Sequence, residues 1–341
     1  MNKKEDVFMR KRITVLFSCL LVFSSISVVN AEEVKSNQAY VDVAAATLWT
    51  GPNLLRPIDE PSAMNPVNLW KWTKSMTLDE KLWLTSTNKL ETQALLGQEV
   101  TIIDRQGEWA KVVVHGQPTP RNEAGYPGWV PVKQLTYNQE FAEKKEQPFV
   151  LITKPTAILY INPSDKYKSL EVSYNTRLPL ISEDNMSFRV LLPNGQKAWL
   201  RKNDGTVYKS QNDIPVPTGD DLVNTGKLFL GLPYIWAGTS GFGFDCSGFT
   251  HTIYKSHGIT IPRDSGPQSK AGIAVERENL QKGDLLFFAY NQGKGSVHHV
   301  GMYIGDGKMI HSPNAAKTVE IIPVDTPGYI EEYAGARRYL P

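Results

Sequence analysis

The middle of the chain contains two similar patterns of apolar and polar residues. Each pattern is a β-rich run led by an aromatic residue and followed, across a turn, by a run built around a tryptophan: 108–114 with 128–131, and 187–192 with 198–200. Runs of this length, bounded by Gly, Pro and Asn, are typical of β-strands. Each pattern therefore predicts an antiparallel pair, and short strands with frequent turns predict small β-barrels.

We place two all-β barrels at residues 40–140 and 148–212, joined by the charged segment 140–147. The first barrel carries an insertion at 67–84 whose apolar residues have helical spacing. Within it, residues 75–80 have the sequence of a capped helix start. The tryptophans of the insertion are either core residues or a ligand platform, and we favour the core.

A different pattern begins after Pro217. Thr218 can cap a first helix that ends before Pro233, and a second helix is predicted from Cys246 to about His257. Strands are predicted after the helices, at 284–289, 297–304, 308–311 and 319–322. Helices followed by a mostly antiparallel sheet make an α+β domain, which we place at 213–341.

The N-terminal segment has the pattern of a secretory signal. A basic start precedes the apolar stretch Ile13–Val29, and Ala31 follows at the position of a small residue before a cleavage site. We predict a signal peptide at residues 1–31 and a secreted chain with no membrane contact after cleavage. A retained membrane anchor and lipid attachment at Cys19 are the alternatives.

Charge and cysteine content limit the function further. Removing residues 1–31 takes away five of the 37 basic and two of the 35 acidic residues, so the net charge falls from +2 to −1. No strong basic field is left for a nucleic-acid partner. Cys19 leaves with the signal, so Cys246 is the single remaining thiol. An unpaired cysteine in an exported protein is a candidate reactive group.

Cys246 stands at the start of the predicted second helix. A helix N-terminus carries about half a positive charge, which favours the thiolate over the thiol. Its free backbone N–H groups can also receive an oxyanion. A thiolate nucleophile needs a base within reach.

Two histidines of the predicted sheet supply that base and its partner. The sequence Gly-Asp-Gly at 305–307 predicts a tight turn, and a hairpin centred on it puts Gly301 opposite His311. His299 and Gly301 share a strand face. His299 and His311 therefore lie diagonally on one face, with space between them at the glycine, and His311 can orient His299 as the third member of a triad. His298 points to the other face.

Cys246, His299 and His311 are alternatively three zinc ligands. No CxxC or HExxH pattern accompanies them, so we predict neither a metal nor a cofactor. His115, His251 and His257 lack such a context, and we expect them to be exposed.

Residues 218–341 resemble the NlpC-type papain-like peptidases of bacterial cell walls. The segments that carry the resemblance are 233–238, 244–249, 261–265, 282–288, 299–305 and 309–311. Ala237 stands where the family has a second glycine before Gly238. The two barrels resemble bacterial SH3-like domains, and the whole arrangement is similar to the YkfC-like γ-D-glutamyl-L-diamino acid endopeptidases. The resemblance implies an α+β papain-like catalytic domain at the C-terminus, preceded by two all-β SH3-like barrels.

The resemblance also implies roles for individual residues. Cys246 is the nucleophile, His299 the base and His311 the orienting residue. Tyr234 lies near the oxyanion. The other pocket residues that it implies are Trp236, Ser247, Asp264 and Ser265.

In that group the substrate is a stem peptide with a free N-terminal L-Ala, and a desolvated ammonium needs a carboxylate. Asp245 and Glu91 are the candidates, and Tyr126 lies on a connection that can reach the site. Each has an ordinary alternative: Asp245 as a helix cap, Glu91 as a solvated charge and Tyr126 as a turn-packing residue.

Three functions follow from these observations. The first is a secreted cysteine endopeptidase that cuts the γ-D-glutamyl-L-diamino acid bond of peptidoglycan-derived peptides through a thioacyl-enzyme. The second is an endopeptidase or amidase on intact peptidoglycan, with the barrels as wall anchors. The third is a non-enzymatic wall-binding protein, against which the combination of Cys246, His299 and His311 argues.

Overall fold

The strands predicted from the two repeated patterns are present and paired as expected in the computed structural model, which describes residues 37–162 and 169–341. Trp109–Val114 pairs antiparallel with Tyr126–Pro131, and Ser187–Leu191 pairs antiparallel with Lys197–Arg201. The predicted signal peptide and Cys19 lie outside the described residues. Within the described residues, no helix is long and apolar enough to cross a membrane.

The first barrel is a seven-stranded antiparallel sheet with the order β3-β2-β6-β5-β4-β1-β7. Its strands are β1 (Gln38–Val41), β2 (Ala45–Trp49), β3 (Leu90–Leu95), β4 (Glu99–Gln106), β5 (Trp109–Val114), β6 (Tyr126–Pro131) and β7 (Leu135–Thr136).

The insertion between β2 and β3 is helical, as predicted. It contains α1 (Glu60–Ala63), α2 (Leu69–Ser75) and α3 (Leu78–Thr87). Thr77 and Glu80 form the capping box that starts α3. Trp72 is fully buried, which confirms its place in the core, and Trp70 stacks edge-on against Phe242 of the C-terminal domain at 5.3 Å between ring centroids.

The second barrel follows the short helix α4 (Gln139–Lys144). Its five-stranded sheet has the order β13-β12-β11-β8-β14, beside the pair β10-β9. Its strands are β8 (Phe149–Ile152), β9 (Thr156–Leu159), β10 (Leu170–Ser173), β11 (Arg177–Glu183), β12 (Ser187–Leu191), β13 (Lys197–Arg201) and β14 (Gly205–Tyr208). Phe141 of α4 is buried in one cluster with Tyr40 and Leu96 of the first barrel and with core residues of the second barrel. The charged segment is therefore packed against both barrels.

The C-terminal domain has the helices-then-sheet order that the sequence predicts. Its helices are α5 (Gly219–Lys227), α6 (Cys246–Ser256), α7 (Ser265–Lys270), α8 (Tyr290–Gly293) and α9 (Tyr329–Glu332). Its strands are β15 (Thr239–Ser240), β16 (Gly243–Phe244), β17 (Ile273–Val275), β18 (Leu285–Ala289), β19 (Val297–Gly305), β20 (Lys308–His311), β21 (Glu320–Pro323) and β22 (Tyr333–Arg338). The six-stranded sheet has the order β17-β22-β18-β19-β20-β21. Sequence analysis missed β17 and β22, which lie at and near one edge.

Helix α6 is buried along almost its whole length between this sheet and the first barrel. Phe249, Ile253 and Tyr254 lie in the core together with Val300 and Met302 of β19. On its other side, Thr252 donates a hydrogen bond to the carbonyl of Thr239, next to the first barrel. Burial from both sides fixes the position of the residue at its N-terminus.

The start of α6 makes a very close approach to the loop before it. Ala237 in that loop has φ +64°, a left-handed conformation that glycine adopts without strain. Glycine would adopt this conformation more readily than the alanine present here. A Cβ at Gly248 would lie 2.0 Å from the carbonyl oxygen of Gly238, so α6 can approach the loop only because residue 248 lacks a side chain.

Gly248→Ala should therefore destabilise the chain. Overpacking of this kind costs about 1–3 kcal/mol. Gly266 in α7 is the matched control, because a Cβ there meets no atom within 4 Å and alanine favours the helix. Denaturant unfolding of both variants measures the difference, and equal free energies of unfolding for the two would contradict the close approach.

Candidate active site

Cys246 is the first residue of α6 and is 8% exposed. Asp245 caps the helix by accepting a hydrogen bond from the backbone N–H of Gly248 at 2.6 Å. The Cys246 thiol has backbone hydrogen bonding at Val300, the residue that follows His299. The helix start and strand β19 therefore meet at the thiol.

The two histidines lie where the hairpin register predicts. Met302 pairs with Ile310 and Tyr303 with Met309, a register that puts Gly301 opposite His311. The Nε2 atom of His299 is 2.8 Å from Nδ1 of His311. A Cβ at residue 301 would come within 3.4 Å of the His311 Cβ, so the glycine leaves the room that was expected. His298 instead stacks on Tyr290 and contacts Glu332.

Burial keeps both members of the expected acid–base pair neutral. Burial and then the charge of Asp245 raise the pKa of the Cys246 thiol to about 12, although backbone hydrogen bonds oppose this. Burial, with the nearby His311 and His298, holds the pKa of His299 well below its ordinary value. The expectation that the helix N-terminus favours the thiolate is therefore wrong for the free chain. Desolvation outweighs the partial charge of the helix.

Glu320 extends the histidine pair and was missed by sequence analysis. It lies directly opposite His311 in the β20–β21 ladder, so the two side chains share a face of the sheet. Its Oε1 is 3.5 Å from Nε2 of His311. That nitrogen is buried and has no closer hydrogen-bond acceptor among the described residues. The carboxylate favours a proton on Nε2 of His311, which leaves Nδ1 to accept from His299.

Tyr329 is a second residue that the sequence did not reveal. Its ring lies 5.5 Å from that of His299 and 5.2 Å from that of His311. Burial, then the charges of Glu320 and Cys246, raise the pKa of its hydroxyl to about 12, so the hydroxyl stays protonated. It forms a wall of the site beside both imidazoles.

Asp245 is part of a buried charge cluster. Arg263 is 1% exposed and donates from Nη2 to Asp245 Oδ2 at 2.6 Å and from Nη1 to Ser247 Oγ at 3.0 Å. Its Nε donates to Thr92 Oγ1 of the first barrel at 3.0 Å. Asp245 thus caps the helix, which was the alternative to binding the ammonium group of the substrate. Its charge is already paired with the guanidinium of Arg263.

Glu91 and Tyr126 of the first barrel reach the same cluster. Glu91 forms an ion pair with Arg121. The alternative, in which Glu91 is a freely solvated charge, is therefore wrong. The Tyr126 hydroxyl donates to Asp264 Oδ2 at 3.0 Å. Asp245, Asp264 and Glu91 together carry three negative charges against the two positive charges of Arg263 and Arg121, which leaves an excess of one negative charge.

The remaining pocket candidates have fewer contacts in the described part of the chain. Tyr234 is buried, and after burial itself the charges of Cys246 and Asp245 raise the pKa of its hydroxyl, which places it beside the nucleophile. The indole N–H of Trp236 is buried without an acceptor among the described residues. Ser265 is the first residue of α7, and no side-chain hydrogen bond of Ser265 is present in the described part of the chain.

The prediction that three other histidines are exposed is wrong, most clearly for His251. It is buried and its Nδ1 is 2.9 Å from the carbonyl oxygen of Ile261, because α6 is covered on both sides. His115 and His257 are half-buried, against Thr101 and Thr225. Within residues 37–162 and 169–341, no three His, Cys, Asp or Glu side chains come together as metal ligands.

Comparison with known proteins agrees with this architecture. Residues 231–338 match the NlpC/P60 family, 152–208 the YKFC SH3b2 domain, and 86–135 the bacterial dipeptidyl-peptidase Sh3 domain. Over 333 residues the chain is 78% identical to a gamma-D-glutamyl-L-lysine dipeptidyl-peptidase of Bacillus cereus, covering 98% of this chain and 100% of the relative. The chain belongs to the NlpC/P60 family.

A second relative and a solved structure agree. A gamma-D-glutamyl-L-lysine dipeptidyl-peptidase of Bacillus subtilis is 42% identical over 295 residues, 86% of this chain and 96% of its own length. The crystal structure of an NlpC/P60 family protein from Bacillus cereus superposes with a TM-score of 0.87 at 81% identity, covering 89% of this chain and 100% of that one. The predicted fold class, an α+β papain-like domain after two SH3-like barrels, is confirmed.

The buried neutral histidines make stability depend on pH. Burial lowers the pKa of His311 to about 4, with Glu320 opposing the shift, whereas an unfolded histidine titrates near about 6.5. The unfolded chain binds more protons between these values, so stability falls as the pH drops from 7 towards 4.

At pH 5 we expect His311 to account for a loss of about 2 kcal/mol relative to pH 7. Denaturant unfolding at both pH values, for the wild type and for His311→Asn, measures this contribution. The variant should lose less stability on acidification than the wild type. If the wild type and His311→Asn lose the same free energy of unfolding between pH 7 and pH 5, His311 is not a neutral, buried group.

Proposed function

We propose that this chain is a secreted cysteine peptidase that hydrolyses the γ-D-glutamyl-L-diamino acid bond of peptidoglycan stem peptides with a free N-terminal L-Ala. The observation that carries the proposal is the 2.8 Å contact between His299 and His311 beside a cysteine at a buried helix start. The two relatives of matching length, both named gamma-D-glutamyl-L-lysine dipeptidyl-peptidase, support the choice of bond.

The proposed reaction begins from the neutral thiol and imidazole. Since His299 donates from Nε2 to His311, its Nδ1 is the lone pair available to the thiol. Nδ1 removes the thiol proton as Sγ attacks the γ-carbonyl carbon of the D-glutamyl residue. The oxyanion forms beside the free N–H groups at the start of α6 and the hydroxyl of Tyr234.

Collapse of the tetrahedral intermediate breaks the C–N bond. His299 returns its proton to the leaving amine of the diamino acid, and a thioester on Cys246 remains. His299 then removes a proton from water as the water oxygen attacks the thioester carbon. The second tetrahedral intermediate expels Sγ, which takes that proton back from His299, and the dipeptide is released. Throughout, His311, itself oriented by Glu320, accepts from the His299 ring and keeps its orientation and tautomer.

The first barrel supports recognition of a free amine. It contributes Glu91 and Tyr126 to the cluster around Asp245 and Asp264, whose excess negative charge suits one ammonium group. Loop residues from a folded barrel also wall off this end of the site, which disfavours a glycan attached to the alanine nitrogen. We propose that this barrel shapes the pocket, and that binding of the barrels to the cell wall is a secondary role.

Export is proposed from the N-terminal sequence alone. The apolar stretch Ile13–Val29 after a basic start suits a signal peptide removed after Ala31. After export, the chain would meet the wall peptides proposed as its substrate outside the cell membrane. Detection of a mature chain beginning at Glu32 in the culture medium or wall fraction tests this part.

Cys246→Ala should abolish cleavage of L-Ala-γ-D-Glu-L-Lys-D-Ala while leaving the fold intact. Mass spectrometry of the wild-type digest should find L-Ala-γ-D-Glu and L-Lys-D-Ala. A thiol alkylator should inactivate the enzyme, and a zinc chelator should leave it active. A folded Cys246→Ala chain that turns over at the wild-type rate, or cleavage at a different bond, would refute the proposal.

The same tetrapeptide with an N-acetylated alanine should be cut at least about 100-fold less efficiently in kcat/KM, because acylation removes the charge and adds bulk. Glu91→Gln should shrink this ratio. Asp245→Asn is a poor test, since it also breaks the buried pair with Arg263.

Glu123→Gln is the matched control, because Glu123 is an exposed residue of the same barrel. It should keep the wild-type ratio. Equal rates on free and acetylated peptides would instead favour a hydrolase of intact peptidoglycan.

A further inference from the structure

A second concave site lies where the two barrels and the C-terminal domain meet. A cavity of about 460 Å³ is lined by residues of the first barrel, helix α4, the second barrel and the C-terminal end of α6. None of the residues proposed for catalysis or amine recognition lines it. Lys255 is nine residues after Cys246 on α6, which puts it about 14 Å along the helix from the nucleophile.

Two cations of this cavity have no carboxylate partner. Lys255 Nζ makes no hydrogen bond or ion pair within residues 37–162 and 169–341, and Arg177 forms no ion pair there. Arg177 instead donates to two neutral acceptors, the Gln211 side chain and the backbone oxygen of Lys255 at 2.8 Å. Its Nε is buried without an acceptor among the described residues.

This burial lowers the pKa of both groups. Burial and the charge of Arg177 lower the pKa of Lys255 to about 7. Burial lowers the pKa of Arg177 to about 10. Two partly buried cations that repel each other destabilise the free chain, and a bound anion would remove that cost.

The other charged groups that face the cavity do not neutralise these two. Glu99 pairs with Lys145, and Glu146, which acts on Arg177 through space, has an 84% exposed side chain near the same lysine. His115 faces the cavity from the first barrel. His251, one turn earlier on α6, is not among the residues that line the cavity, and burial and then the charge of Lys255 hold its pKa well below the ordinary value. The positive charges of Arg177 and Lys255 are therefore not compensated by a carboxylate where they face the cavity.

We propose that this cavity is a binding site for a small oxyanion, the carboxylate or phosphate group of a low-molecular-weight ligand, held by Lys255 and Arg177. The site is separate from the peptidase centre, and its occupation does not depend on the activity proposed above. Because Arg177 belongs to β11 of the second barrel and Lys255 to α6, one bound anion would join the second barrel to the C-terminal domain.

Calorimetric titration of the full chain tests the proposal with sulfate and acetate as separate probes. At pH 8 Lys255 is largely neutral, so binding should take up close to one proton, measured by repeating the titration in buffers of different ionisation enthalpy. Affinity should weaken as the pH rises above 7. Saturable binding of sulfate identifies a phosphate-class site, and binding of acetate a carboxylate-class site.

Lys255→Met should weaken binding at least tenfold and abolish the proton uptake, and Lys255→Gln provides a second variant should the first fail to fold. Lys227→Met, at an exposed lysine of α5, is the matched control and should bind as the wild type does. Binding that survives both Lys255 substitutions, or no saturable binding of either probe, would overturn the proposal.

Discussion

The buried ion pair between Arg263 and Asp245 is the contact on which the candidate active site depends. One guanidinium satisfies the cap of the catalytic helix, the hydroxyl of Ser247 and the hydroxyl of Thr92 in the first barrel. The backbone N–H of Arg263 also donates to the carbonyl of Pro118 in that barrel at 3.0 Å. A buried pair is stabilising only when such additional hydrogen bonds complete it. The position of Cys246 and the docking of the first barrel therefore share one set of bonds.

The same contact joins the NlpC/P60 domain to the first barrel. The NlpC/P60 domain contains the thiol and both histidines, but the acidic groups around Arg263 come from the domain and from the barrel together. Thr92 is linked in turn to Gln117, and Gln117 to the backbone of Gln93. Gln93 reaches Thr239 and Ser240 of the C-terminal domain. The barrel is therefore fixed in place by buried polar bonds, as the proposed pocket requires.

The parts of the site that sequence predicts are those fixed by local geometry. The tight turn at 305–307 determines the register between β19 and β20. That register alone predicts that His299 and His311 lie on the same face of the sheet. The helix start at Cys246 follows from the capping residue Asp245 directly before it. The fold class follows from strand patterns and from the resemblance of residues 218–341 to a known family.

The contacts that sequence missed depend on register or packing over longer distances. Glu320 meets His311 across a connection of eight residues, 312–319, which is not a tight turn and does not determine a register. Arg263 and His251 are polar residues whose burial depends on the first barrel covering α6, and no local pattern reports that. The thiol pKa was misjudged for the same reason, because the desolvation comes from neighbours remote in sequence.

Hydrogen exchange of Arg263→Lys tests the central contact most directly. Lysine keeps the charge but loses the planar fork that bonds Asp245, Ser247 and Thr92 at once. Amides of residues 248–250 and of residues 92–93 should lose protection together, while strand β18 stays protected and Arg105→Lys, at an exposed arginine of β4, changes nothing. Loss of protection in one segment alone, or in neither, would contradict a single contact that holds both the catalytic helix and the barrel.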